Sequence, residues 1–128
     1  MQRYRRPTQF IYAFLVILTV WLITPVLAGS GNPEAARQAW PMIEQGVLLI
    51  DVRTTQEFEQ DHIEGAINIP WQDTGKLMSA IGMNTTRPVV IYCRSGNRSG
   101  KSKAALEAQG YTNIFDATGL EALKATKP

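Results

Sequence analysis

Short apolar runs separated by polar, helix-compatible stretches set the pattern of this chain. Val47-Leu48-Leu49-Ile50 and Val89-Val90-Ile91-Tyr92 are continuous apolar runs, too short for a good helix. Each suits a strand buried on both faces, as in a parallel sheet. Ala66-Ile67-Asn68-Ile69, stopped by Pro70, predicts a further strand, and Asn113 to Phe115 predicts a last one. Helical patterns lie between them. Asn32-Pro33 reads as a capping side chain followed by proline at the first helical position. The helix it opens carries Ala35, Ala36, Ala39 and Trp40 until Pro41, which should break or kink it, with a short turn over Met42 and Ile43 before Gly46. Thr54 with Glu57 forms a capping box for a short helix through Phe58 and Gln60. Trp71 to Ile81 reads as helical, with Leu77 and Met78 on one side and Gly75 lowering its propensity. Helical composition runs from near Ser99 to Gln109, where Gly110 offers a left-handed cap, and Gly119 to Ala125 predicts a short terminal helix. Strands alternating with helices predict an α/β fold with an open, mainly parallel sheet.

The first 28 residues follow a different pattern. Arg3, Arg5 and Arg6 make a positive start, Phe10 to Ile23 is apolar except for Thr19, and Pro25 precedes Val26-Leu27-Ala28. That is the three-part pattern of a secretory signal, with cleavage expected after Ala28. The apolar stretch, taken as far as Ala28, is about 19 residues, just enough to span a bilayer, so an uncleaved membrane anchor is the alternative. In either case the arginines stay cytoplasmic and the rest is exported, to the periplasm. The expected organisation is therefore a signal over residues 1–28 and one domain over 29–128.

This division changes the charge reading. The chain is net +2, but Arg3, Arg5 and Arg6 account for three of its 13 basic residues and the signal holds none of its 11 acidic ones. The remaining ten basic and eleven acidic residues leave a net −1, so the basic balance belongs to the export signal and does not indicate nucleic acid as a partner. A membrane enters only if the N-terminal segment is retained. The exported part is long enough to bury a core without staples. It holds a single cysteine, Cys93, which excludes an internal disulfide. An odd thiol in an exported domain points to intermolecular pairing or to reactivity.

The surroundings of Cys93 favour reactivity. A buried strand ends at Tyr92, the polar loop Cys93-Arg94-Ser95-Gly96-Asn97-Arg98-Ser99 follows, and a helix begins. Ligands of open α/β sheets bind at the carboxyl ends of strands. A loop leading into a helix start turns backbone N–H groups and the helix dipole toward an anion. Such a setting favours the thiolate, the nucleophilic form of cysteine. Arg94 and Arg98 add positive charge, Gly96 supplies the freedom to adopt positive φ, and Asn97 is the next most tolerant residue for it. Ser95 and Ser99 read as hydrogen-bonding residues that shape the loop. The loop as a whole predicts an activated thiolate beside a cradle for an anionic substrate.

This loop resembles the active-site loop of the rhodanese-like sulfurtransferases. Leu49-Ile50-Asp51-Val52-Arg53, Glu57-Phe58 and His62-Ile63-Glu64-Gly65-Ala66-Ile67-Asn68-Ile69-Pro70 resemble the signature near the amino end of that family, and Leu106 to Tyr111 with Asn113 to Gly119 its closing segment. The likeness covers nearly all of residues 33–125. Asp61 and Leu120 depart from it, standing where the family usually has glycine. The resemblance implies helices on both faces of the sheet and a thiosulfate sulfurtransferase. Cys93 would take the outer sulfur of thiosulfate as a persulfide and pass it to cyanide or a thiol, without a metal or organic cofactor. Amides of residues 94–98 would stabilise the negative charge. Arg94 and Arg98 would draw in thiosulfate, with Arg98 alternatively bonding loop carbonyls. The alternative function is a sulfur carrier that relays persulfide with little activity on free thiosulfate. Related phosphatases use five residues between cysteine and arginine. Four separate Cys93 from Arg98 here, which suits a sulfane sulfur better than a phosphoryl group. Asp51 and Arg53 read as a supporting ion pair at a strand end rather than an acid–base pair. His62 reads as a structural histidine, placed by the resemblance in a turn away from the nucleophile. Trp40 and Trp71 read as core or edge residues.

Overall fold

The structure, a computed structural model, describes residues 31–128; the expected export segment lies outside the described residues. In chain order the elements are α1 (Pro33–Glu44), β1 (Leu48–Asp51), α2 (Thr55–Gln60), β2 (Ile67–Asn68), α3 (Thr74–Ile81), β3 (Val89–Cys93), α4 (Asn97–Ala108), β4 (Ile114–Gly119) and α5 (Leu120–Ala125). The strands form one parallel sheet in the order β2-β1-β3-β4. The α/β class and parallel sheet follow the sequence expectation.

The apolar run of β3 explains its place inside the sheet. All five of its residues are buried, so it needs a strand on each side and a helical layer on each face. Side chains alternate across the sheet with period two. Val90 and Tyr92 join Leu49 and Ala117 in a core closed by Ala36, Ala39 and Trp40 of α1 and Leu120, Ala122 and Leu123 of α5. Val89, Ile91 and Cys93 join Ile50, Val52 and Ile114 in a second core closed by Leu77 and Ile81 of α3 and Leu106 of α4. Helices thus cover both faces, and strand parity sends Cys93 to the α3–α4 side.

Several boundaries differ from the sequence reading, each for a physical reason. Asn32 caps α1 through its side-chain oxygen, 2.9 Å from the Glu34 amide, but the helix runs through Pro41 to Glu44 instead of breaking. Pro41 is on the exposed side, so the carbonyl that loses its amide partner can turn to water, while Ala36, Ala39 and Trp40 stay anchored in the core. The strand around Ala66 to Ile69 shortens to the edge pair Ile67–Asn68, since a neighbour exists on one side only. Helix α3 starts after Asp73, whose side chain accepts from the Lys76 amide at 2.9 Å. Strand β4 extends well beyond Phe115. Ile91 pairs with Asp116 and Cys93 with Gly119, so two steps along β3 meet three along β4, and the extra residue makes a bulge beside the loop.

Candidate active site

Cys93 ends β3 and Asn97 begins α4, so three residues, Arg94, Ser95 and Gly96, make the turn between them. Gly96 has φ 104°, a left-handed conformation that a side chain would oppose, whereas Asn97 is already helical and does not use its tolerance for it. This tight turn folds the first amides of α4 back over the strand end. The Gly96 N–H donates to the Cys93 sulfur at 3.0 Å, and the Ser99 hydroxyl lies 3.4 Å from Sγ, within reach to donate to a thiolate. Cys93 is 1% exposed. Burial raises its pKa, but the Ser99 hydroxyl with the amides of Ser99, Gly96 and Ser95 outweighs that, and the thiol is held below its ordinary value. A sulfur surrounded by donors at the start of a helix is suited to carry negative charge.

The two loop arginines are placed differently. Arg94 is exposed and makes no ion pair among the described residues. It lines a cleft of about 350 Å³ shared with Arg53, Glu57, Asp61, Leu120 and Glu121. Of the two partners the sequence allows Arg98, substrate or loop carbonyls, the structure shows a third. Its guanidinium makes a two-pronged pair with Glu57, Nη1 to Oε1 at 2.6 Å and Nη2 to Oε2 at 2.9 Å. Arg98 holds the Glu57 carboxyl down to about 2, and Glu57 raises Arg98 in turn. Glu57 also completes the predicted capping box with Thr54, so one carboxylate ties α2 to the start of α4. Sequence spacing gave Glu57 its cap; nothing local marked its partner 41 residues away.

Asp51 and Arg53 sit beside this layer. Arg53 Nε lies 3.0 Å from both carboxylate oxygens of Asp51, Nη2 lies 2.7 Å from Oδ2, and the Arg53 amide donates to Oδ1 at 2.9 Å. Asp51 is fully buried and Arg53 5% exposed. Neither bonds to Cys93. Arg53 also reaches the Asp61 carbonyl at 2.5 Å, which joins the end of β1 to the end of α2. At Asp61 φ is −168°, extended backbone that any residue adopts, so the place of the usual glycine is filled without strain; the carboxylate pairs with Lys124. Leu120, the other departure, begins α5 and is buried at the floor of the cleft.

His62 stacks on Phe58 with ring centroids 3.8 Å apart, and its Nδ1 lies 2.7 Å from the Phe58 carbonyl. It borders a hollow of about 540 Å³ with Trp40 and Lys124 that includes no residue of the cysteine loop. Trp40 is buried and donates from Nε1 to the Leu123 carbonyl at 3.0 Å; Trp71 is half-buried with Lys101 4.9 Å above its ring.

A family described as "Rhodanese-like domain" matches residues 35–125. The chain belongs to the rhodanese-like family. It is 35% identical over 78 residues to thiosulfate sulfurtransferase PspE of Escherichia coli (strain K12), covering 61% of this chain and 75% of that one. It is 30% identical over 92 residues to thiosulfate sulfurtransferase GlpE of Pseudomonas savastanoi pv. phaseolicola, covering 71% of this chain and 85% of that one. Among solved structures it resembles a rhodanese with anions from E. coli at 33% identity and a TM-score of 0.56, covering 63% of this chain and 93% of that one. The protein is a rhodanese-like sulfurtransferase, and Cys93 is its one cysteine.

Proposed function

We propose that Cys93 carries the sulfur and that thiosulfate supplies it. The observation that carries this reading is the pair of donors on the buried sulfur, the Gly96 amide at 3.0 Å and the Ser99 hydroxyl at 3.4 Å, beside a cleft bearing Arg94, which makes no ion pair among the described residues. The Cys93 thiolate attacks the outer sulfur of thiosulfate. The new S–S bond forms as the bond to the sulfonate sulfur breaks, and sulfite leaves with the electron pair. The persulfide's terminal sulfur inherits the negative charge, which the amides at the start of α4 stabilise. A second nucleophile, a thiolate or cyanide, then takes the terminal sulfur and returns Cys93 to the thiolate. Arg94 draws the dianion into the cleft, and Arg98, through Glu57, fixes the start of α4. The chemistry uses the cysteine persulfide alone.

The domain is exported in this reading, supported by Arg3, Arg5 and Arg6 ahead of the apolar run and by Pro25 and Ala28 after it. A lone thiol cannot resolve its persulfide into an internal disulfide, so the sulfur leaves to an external acceptor.

Thiosulfate with cyanide should give thiocyanate with the wild-type protein and none with Cys93→Ser. Mass spectrometry after thiosulfate alone should find one added sulfur on Cys93. Thiocyanate production that survives in Cys93→Ser would overturn the proposal. Background turnover on thiosulfate with ready transfer to protein thiols would assign a persulfide relay instead.

A further inference from the structure

Thr118 is the one described non-glycine residue with positive φ, at 67°. A β-branched residue disfavours that region strongly, and such strain persists only where the surrounding structure enforces it. Two hydrogen bonds and a bulge enforce it here. The Asp116 carboxylate accepts the Thr118 amide at 2.8 Å. The Thr118 hydroxyl oxygen accepts the Asn32 amide at 2.7 Å, fastening the start of α1 to the end of β4. The bulge between Asp116 and Gly119 turns the residue toward the cysteine loop. There Thr118 meets Gly96: a methyl built on that glycine would stand 3.3 Å from Thr118 Cβ and 3.5 Å from Cγ2. Gly96 is the residue whose amide bonds the Cys93 sulfur.

We infer that Thr118 is a positioning residue: its Cβ and Cγ2 form the wall on which Gly96 rests, holding the Gly96 N–H on the sulfur of Cys93. Without the wall, the left-handed turn at Gly96 has room to swing away from Sγ, because glycine resists no φ. The inference rests on Cys93 as the sulfur-carrying nucleophile, and it adds a residue that touches neither substrate nor sulfur. Charged groups on the surrounding elements are Arg94 in the loop, Arg98 on α4 with Glu57 of α2, Asp51 of β1 with Arg53 just after it, and Asp116 of β4. Substitution at Thr118 leaves all of them in place.

The test is alkylation of Cys93 by iodoacetamide across pH, which reports the thiolate without any sulfur transfer. Thr118→Gly removes the wall and relieves the backbone. Its titration should move up by about half a unit, with about threefold less thiolate at pH values below the transition, and thiocyanate formation should fall about tenfold. Thr118→Val keeps Cβ and a methyl against Gly96 but loses the bond to Asn32. It should titrate like the wild type while melting at a lower temperature. If Thr118→Gly fails to fold, Thr118→Ala, which trims Cγ2 alone from the wall, should shift in the same direction by less. A wild-type titration in the Gly variant, or in Ala where it stands in, overturns the inference. So does a shift in Val equal to that in Gly, since the wall would then not matter. Persulfide formation in the wild type, read by mass, tests the sulfur-transfer reading separately.

Discussion

Asp51→Ala separates a supporting ion pair from a catalytic one. The carboxylate is fully buried, and its removal takes away every contact that Asp51 makes to the Arg53 guanidinium, together with the acceptor for the Arg53 amide. Breaking a buried pair from one side costs about 3–5 kcal/mol, because the remaining charge keeps its desolvation penalty. Two features put this case near the lower end, about 3 kcal/mol. Arg53 retains the Asp61 carbonyl, and it borders the cleft, where water can reach it. For a domain of this size 1 kcal/mol corresponds to roughly 4–8 °C, so the melting temperature should fall by about 12–24 °C. Thermal unfolding followed by circular dichroism measures this. Replacing both partners, Asp51→Leu with Arg53→Met, should recover much of the loss, since an apolar pair of similar volume carries no unpaired charge. Thiocyanate formation by Asp51→Ala, assayed well below its melting temperature, should stay within about threefold of the wild type, because neither residue touches the sulfur. A melting temperature lowered by less than about 4 °C would refute the energetic reasoning. An unaltered melting curve with activity lost a hundredfold or more would make Asp51 a catalytic group.

Two other perturbations bear on the loop. Gly96→Ala places a side chain at φ 104° and 3.3 Å from Thr118 Cβ, so the amide bonded to Cys93 must move; kcat/KM for thiosulfate should drop at least about tenfold, the cost of one charge-assisted bond, and wild-type kinetics would show that this amide does not matter. Glu57 has its carboxyl lowered from 4.5 to about 2 in the folded state, chiefly by Arg98. A depressed carboxyl stabilises the fold above its unfolded value and loses that contribution as pH falls through the folded one, so acid unfolding of the wild type should steepen between about pH 4.5 and 2. Glu57→Gln should flatten that dependence, as denaturant melts at a series of pH values would show.

Sequence alone determined the parts governed by neighbours along the chain. The apolar run Val89–Tyr92 could be satisfied only inside a parallel sheet, and Thr54 with Glu57 capped a helix because their spacing closes that box locally. The donor-rich setting of Cys93, between a buried strand and a helix start, was legible for the same reason: amides a few residues downstream fold back toward it. Tertiary structure decided what depends on residues brought together from far apart. Arg98 was open between substrate and loop until α2 delivered Glu57 across 41 positions. Pro41 was expected to break or kink α1; the helix does not break there, because core packing of Ala36, Ala39 and Trp40 outweighed one lost hydrogen bond on the exposed side. Thr118 carried no mark in the sequence, because a threonine looks ordinary until a bulge forces its φ to 67° and sets it against Gly96. Periodicity and capping are short-range and leave a trace in composition. Pairings across the sheet and between helix ends do not, since their free energy is fixed by where the fold places the partner.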